Sequence, residues 1–245
     1  MSVKAIIVDD ERLARNELRK LLQEYPNIEI IDEASNADEG IEKIEQHNPD
    51  LIFLDIQMPG KTGFDLLSGL DRAPHVIFTT AYDEYALKAF DVNALDYLLK
   101  PIEPKRLADA VGKLHDELYK EKSEEHGGVV NRGALTDEDQ VFVKDGERCW
   151  FVKLGEIRLF ESVGNYAKVF FGTNKPLILK SLNALEERLD ERTFFRANRK
   201  HIINLRWIER IEPYFNGGLL LELKGGEKIE VSRRQTVKFK EMMSL

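Results

Sequence analysis

Residues Leu51–Leu67 read LIFLDIQMPGKTGFDLL. Four apolar positions run without interruption into Asp55, and a turn containing Pro59 and Gly60 leads on to a second apolar stretch, Thr62–Leu70. A short apolar run followed by a helix-length stretch is how a strand covered on both faces reads in a parallel sheet. The same grammar recurs on either side in KAIIVDD (4–10), IEIIDEA (28–34), HVIFTT (75–80) and ALDYLLKP (94–101). Between these runs lie the expected helices Glu11–Glu24, Asn36–His47, Thr62–Leu70 and Asp83–Phe90, the first with Leu13, Leu18, Leu21 and Leu22 roughly at helical spacing. A last helix, Leu107–Leu118, carries Leu107, Val111, Leu114 and Leu118 on one face. Five such units predict an α/β doubly wound five-stranded parallel sheet over residues 1–121. Ligands of such sheets sit at the carboxyl ends of the strands.

Those ends carry a distinctive set of side chains. Asp9 and Asp10 close the first strand, Asp55 the third, Thr80 the fourth and Lys100 the fifth. Three crowded carboxylates repel one another and call for a cation. Oxygen-only ligation with few protein ligands suits Mg²⁺, which keeps several waters and recruits phosphate oxygens. A carboxylate facing such an ion can attack a phosphoryl donor and form an aspartyl-phosphate. The ammonium of Lys100 and the hydroxyl of Thr80 can help neutralise the transferring oxygens. Taken singly, a strand-end Asp such as Asp10 can do no more than cap the following helix, and a Lys-Pro pair is commonly a turn. Their occurrence together, at successive strand ends in this order, is what points to a site.

The bulk numbers fit a globular chain of one large domain or two ordinary ones. The chain has 245 residues, 42% hydrophobic and 33% charged, with the single cysteine Cys149. No internal disulfide can form, and a reducing cytoplasmic setting is expected. The apolar run Val3–Val8 is too short for a signal peptide or a membrane span, so stable membrane association is not expected. The net charge of -8 conceals an asymmetry: residues 1–121 hold 14 Lys+Arg against 25 Asp+Glu, and residues 122–245 hold 22 against 19. From Arg192 onward there are 12 basic and 6 acidic residues. An acidic half joined to a basic tail suggests nucleic acid on the basic side, against the plainer alternative of two solvated surfaces.

Residues 122–138 are polar, contain Gly127, Gly128 and Gly133, and read as a linker. Beyond them, over 139–245, short strand-like pieces are separated by Asp145-Gly146, Gly164-Asn165, Asn216-Gly217-Gly218 and Gly225-Gly226 turns. Only Leu182–Leu189 and Arg233–Met243 read as helices. This half is expected to be mostly antiparallel β. It shows no paired catalytic carboxylates, Cys/His metal cluster or glycine-rich phosphate loop, and His126 and His201 stand isolated. Its basic residues gather at turns and element ends: Lys168, the run Arg196-Ala197-Asn198-Arg199-Lys200-His201, and Arg233-Arg234. Such side chains neutralise phosphates, and Arg and Asn can read base edges. A salt-bridged surface is the alternative.

Residues 1–121 resemble a response-regulator receiver domain through IIVDDE (6–11), LIFLDIQMPGKTGFDLL, FTTAYDEYALKAF (78–90) and DYLLKPI (96–102). The resemblance implies a flavodoxin-like receiver whose phospho-acceptor is Asp55. It implies Mg²⁺ held by Asp10 and Asp55, by Asp9 through water and by the Gln57 carbonyl. It further implies Thr80 as phosphoryl sensor, Lys100 as its ionic partner, a cis Lys100-Pro101 bond and Tyr97 as the switching aromatic. Thr79 is the neighbouring hydroxyl, and Thr80 is chosen because it precedes Ala81. The implied partner is a sensor histidine kinase. A phosphatase that forms the same intermediate commonly carries a general acid two residues after the nucleophile, where this chain has Gln57; the missing carboxyl favours regulation over turnover.

The second half resembles the LytTR DNA-binding domain of LytR/AlgR-type regulators through FESVGNYAKVF (160–170), FFRANRKHIINL (194–205), WIERI (207–211) and VSRR (231–234). It implies loop-borne DNA contacts from Asn165 with Tyr166, Arg199 with Lys200, and Arg234 with Arg233. The chain departs from the family's usual His-Arg-Ser-Tyr at Asn198–His201, and Gln235 stands where an aromatic is common. The expected action is a homodimer formed on phosphorylation that sets two basic domains on paired half-sites of duplex DNA. The mixed charge on the last helix, such as Lys105, Arg106, Asp109, Lys113 and Asp116, motivates the expectation that this face pairs with its copy in a second molecule. Binding of protein or RNA by the second half is the competing reading.

Overall fold

The computed structural model describes residues 2–81, 94–124, 135–146 and 148–243. The expected helix Asp83–Phe90 and the glycines of the expected linker lie outside the described residues. The chain divides into two compact units, Met1–Val130 with Arg148–Phe151, and Asn131–Glu147 with Val152–Leu245.

The first unit runs β1 (Val3–Val8), α1 (Arg12–Leu22), β2 (Ile28–Ala34), α2 (Ala37–His47), β3 (Leu51–Asp55), α3 (Gly63–Gly69), β4 (His75–Thr80), β5 (Asp96–Leu99) and α4 (Pro104–Glu124). Its five strands lie in the order β2-β1-β3-β4-β5, and every neighbouring pair is parallel. β3 is central, and Leu51 to Leu54 are wholly buried because both sheet faces are covered. On one face Ala5, Ile7, Phe53, Ile77 and Leu98 pack against Leu18, Leu22, Leu107, Val111 and Leu114. Each large apolar side chain so covered contributes roughly 1.5–3 kcal/mol. Local signals set the helix starts. Asn36 accepts the Glu39 amide at 2.9 Å and begins α2, while Thr62 and Asp65 form a reciprocal capping box on α3. Leu13 departs from expectation, being 76% exposed. At about 100° per residue it stands some 140° around α1 from Leu18, off the core-facing stripe.

The second part of the chain carries β6 (Gln140–Asp145), β7 (Arg148–Lys153), β8 (Ile157–Val163), β9 (Tyr166–Phe171), β10 (Leu177–Ile178), α5 (Leu182–Glu186), β11 (Phe194–Arg196), β12 (His201–Asn204), β13 (Ile208–Tyr214), β14 (Gly218–Leu223), β15 (Lys228–Val231) and α6 (Arg233–Met243). A five-stranded sheet, β10-β9-β8-β12-β11, and a three-stranded sheet, β13-β14-β15, are antiparallel throughout. Their shared core joins Leu159, Phe170, Phe195 and Ile203 to Leu221, Leu223, Ile229 and Val231, and Phe239 of α6 closes it. Gly164 holds φ +61° in the β8–β9 turn, a conformation open to glycine at little steric cost. Among the described residues no helix is long and apolar enough to cross a membrane.

Candidate functional site

Parallel strands bring their carboxyl ends to one edge. Asp9 follows β1, Asp55 ends β3, Thr80 ends β4 and Lys100 follows β5. The ammonium of Lys100 lies 2.7 Å from Asp9 Oδ2 and 2.7 Å from Asp55 Oδ2. Asp9 and Asp55 are buried, at 3% and 4% exposure. The other oxygen of each carboxylate is held by backbone: Asp9 Oδ1 accepts the Glu11 amide at 2.9 Å, and Asp55 Oδ1 accepts the Gln57 amide at 3.0 Å. It is thus the Gln57 amide that binds Asp55 here. Burial pushes the Asp55 carboxyl above its ordinary range, opposed by Lys100 and the Gln57 amide and reinforced by Asp9. Burial works against the charge on Lys100, but its bonds to Asp55 and Asp9 outweigh this and carry it above its ordinary value.

Asp10 joins the pair: Asp9, Asp10 and Asp55 each offer an oxygen, and these lie within 4.8 Å of one another. Asp10 does not serve as a helix cap, since the N-cap of α1 is Glu11 and its side chain makes no capping bond. Three carboxylates and one ammonium leave two negative charges on a donor set made of oxygen alone. That suits one hard divalent cation. Thr80 is wholly buried, and its carbonyl accepts the Lys100 amide at 2.8 Å. Thr79 is opposite Asp55 in the β3–β4 register. Tyr97 is buried opposite Phe78, and Lys100-Pro101 is cis.

Sequence reading missed two supports. Arg15 donates through Nη1 to the Asp9 carbonyl at 2.6 Å and pairs with Glu33 at 3.2 Å. Asp96 of β5, its side chain 2% exposed, receives Arg106 at 3.2 Å and Lys113 at 3.0 Å. Arg106 and Lys113, two of the charges of the last helix, are therefore engaged within the domain. A buried Asp four residues before Lys100 was the available signal for the second. For Arg15 the available signal was its position three residues before Leu18 and seven before Leu22, which sets a charged side chain on the core-facing stripe of α1.

The predicted basic residues of the second unit gather around one loop, residues 197–200. The Lys200 carbonyl accepts the Ser162 amide at 2.8 Å, tying the loop to the β8–β9 hairpin that bears Asn165 and Tyr166. The Ala197 carbonyl accepts the Ser232 amide at 3.0 Å, tying it to the start of α6 with Arg233 and Arg234. Asn198 shapes the loop from within, its Oδ1 accepting the Lys200 and His201 amides at 2.8 and 3.0 Å. Asn165, Tyr166, Arg199, Lys200, Arg233 and Arg234 are all exposed. Two basic residues differ. Arg196 spends its guanidinium on the Asn198 and Arg199 carbonyls and on Glu186. Lys168 is half-buried and 3.6 Å from Glu161. Glu161 sits in cross-strand register with both Lys168 and His201. Burial lowers the His201 pKa, Glu161 opposes that and Lys200 adds to it.

Comparison with known proteins follows the same division. Residues 5–112 match the response regulator receiver domain family, and residues 147–244 match the LytTr DNA-binding domain family. The sensory transduction protein LytT of Enterococcus faecalis is 36% identical over 98% of both chains. The sensory transduction protein LytR of Staphylococcus haemolyticus is 34% identical over 99% of this chain and 100% of its own. The transcriptional regulatory protein BtsR of Escherichia coli is 36% identical over 99% of this chain and 100% of its own.

Proposed function

Since the chain belongs to the two-component response regulators that join a receiver to a LytTR DNA-binding domain, we propose that a partner sensor histidine kinase phosphorylates Asp55, and that this phosphorylation controls sequence-specific binding of duplex DNA in transcription. The observation that carries the reading is Asp55 itself: a buried carboxylate clustered with Asp9 and Asp10, with Lys100 at 2.7 Å. One Asp55 oxygen forms the new O–P bond as the donor's P–N bond breaks, and the electron pair leaves with the donor's imidazole nitrogen. Lys100 then pairs with the phosphoryl group, and the Thr80 hydroxyl bonds it. Mg²⁺ would be held by Asp10 and Asp55, by Asp9 through water and by the Gln57 carbonyl, and it supplies neutralisation of phosphoryl charge. No carboxyl at position 57 stands ready to protonate a leaving group, which suits a lasting mark.

The domain limits we propose are 1–121 for the receiver, 122–138 for the linker and 139–245 for the DNA-binding domain. Duplex contacts come from Asn165, Tyr166, Arg199, Lys200, Arg233 and Arg234, with Lys168 exchanging Glu161 for a phosphate. Phosphorylation shifts the receiver towards a state in which Thr80 and Tyr97 have moved, and two receivers pair. Pairing places two DNA-binding domains on paired half-sites and raises their effective concentration. The setting is the cytosol.

Intact-protein mass spectrometry after exposure to Mg²⁺ and a small phosphodonor tests the first step. One phosphoryl group should be gained by the wild type and none by Asp55→Asn. Equal gain in both would reject Asp55 as the acceptor.

A further inference from the structure

Asp9 is fixed on every polar backbone atom it has. Its amide donates to the Ala34 carbonyl at 3.1 Å, and its carbonyl accepts Arg15 Nη1 at 2.6 Å. That carbonyl belongs to the peptide group joining Asp9 to Asp10, so the bond from Arg15 fixes the plane from which Asp10 departs. Arg15 is itself restrained. Its side chain is 14% exposed, and its Nε lies 3.2 Å from Glu33 Oε2 on β2. Arg19, one turn further along α1, bonds the same Glu33 carboxylate but not Asp9. The turn Asp9-Asp10-Glu11 is thus clamped between β2 and the first turn of α1.

We infer that Arg15, backed by Glu33, is a positioning residue for the acidic site: it sets the Asp9–Asp10 peptide so that both carboxylates meet the cation together with Asp55. The inference rests on the Mg²⁺ reading of that site. Groups that orient metal ligands from behind typically govern affinity by about 10–100-fold. A contrary electrostatic effect has to be separated from this, because a guanidinium beside the site repels a dication. The double change Arg15→Met with Glu33→Gln removes both charges at once. It leaves the net charge unaltered and deletes the clamp together with the Arg19–Glu33 pair, which Arg19→Met removes alone.

The test is an NMR titration of the full chain with MgCl₂, reading the amides around Asp9, Asp10 and Asp55. The Arg15→Met/Glu33→Gln chain should bind Mg²⁺ about tenfold or more weakly than wild type. Arg19→Met, which loses the same carboxylate partner without touching Asp9, should stay within about twofold, since its contact is an exposed ion pair. Urea unfolding in EDTA reads structural loss separately from metal affinity. If the double variant does not fold, Arg15→Lys replaces it: the ammonium lacks the planar fork in which Nη1 reaches the Asp9 carbonyl while Nε faces Glu33, and an intermediate weakening is expected. Affinity equal to wild type in the variant that folds, or an equal loss in Arg19→Met, would overturn the role of Arg15. A wild-type chain whose amides at these three positions ignore Mg²⁺ would instead overturn the metal reading.

Discussion

Asn198 is bonded to Glu230: its Nδ2 donates to the Glu230 carbonyl at 2.7 Å, fastening the 197–200 loop to the last strand of the three-stranded sheet. Its other amide atom accepts two loop amides, so one side chain shapes the loop and anchors it. Asn198→Ala removes these three bonds and the contact of Oδ1 with His201 Nδ1, and should lower stability of the second unit by about 1–3 kcal/mol, with a loss of DNA affinity. Asn198→Asp keeps the acceptor and loses the donor, and should fall between. Chemical denaturation with a DNA titration at fixed salt checks both.

Arg196 and Arg199 are three residues apart and should behave oppositely. Arg199 is exposed, and Arg199→Ala is expected to weaken duplex binding by roughly 1–3 kcal/mol while leaving the unfolding midpoint unchanged. Arg196 is committed to the Asn198 and Arg199 carbonyls. Arg196→Ala should lower the unfolding midpoint, with DNA affinity falling as a consequence. Equal effects on stability would contradict the division of roles.

Lys100 bridges two buried carboxylates, Asp9 and Asp55. Lys100→Met should slow phosphorylation by a small phosphodonor about 100-fold, the usual scale for losing one charge-stabilising donor. Mg²⁺ binding should be retained or tightened, because the ammonium no longer competes for the same oxygens. Rapid-quench mass spectrometry and the MgCl₂ titration separate the two effects.

His201 provides a pH test. Its folded pKa is lowered from 6.5, first by burial and then by Lys200, against the pull of Glu161. A group with a depressed folded pKa takes its proton more readily when unfolded. Stability of the second unit is therefore fully present above the unfolded value, and is lost as the pH falls from there through the folded pKa. Denaturation midpoints between about pH 7.5 and 5.5 should decline in the wild type and decline less in His201→Gln.

Both the fold and the acidic site were legible because they depend on chain order and period. The uninterrupted apolar run at Leu51–Leu54 marks a strand covered on both faces, and parallel strands necessarily deliver Asp9, Asp55, Thr80 and Lys100 to one edge. What remained hidden depends on where a long side chain goes. Leu13 belongs to the apolar residues of α1 by composition, yet its angle turns it outwards. Arg196 reads as one more cation in a basic run, although its fork is consumed by two carbonyls. Lys168 and His201 face Glu161 only because β9, β8 and β12 are neighbours, and strand order in an antiparallel sheet is not written in local pattern. Arg15 bonds a main-chain carbonyl, an acceptor every residue carries, so no residue type announces it.

The most direct test of the central claim is selection from randomised duplex DNA by the full chain with Mg²⁺ and a small phosphodonor, run beside Asp55→Ala. Enrichment of paired half-sites by the wild type, absent or much reduced in Asp55→Ala, is the predicted result. Equal enrichment by both proteins would contradict phosphorylation of Asp55 as the control over DNA binding.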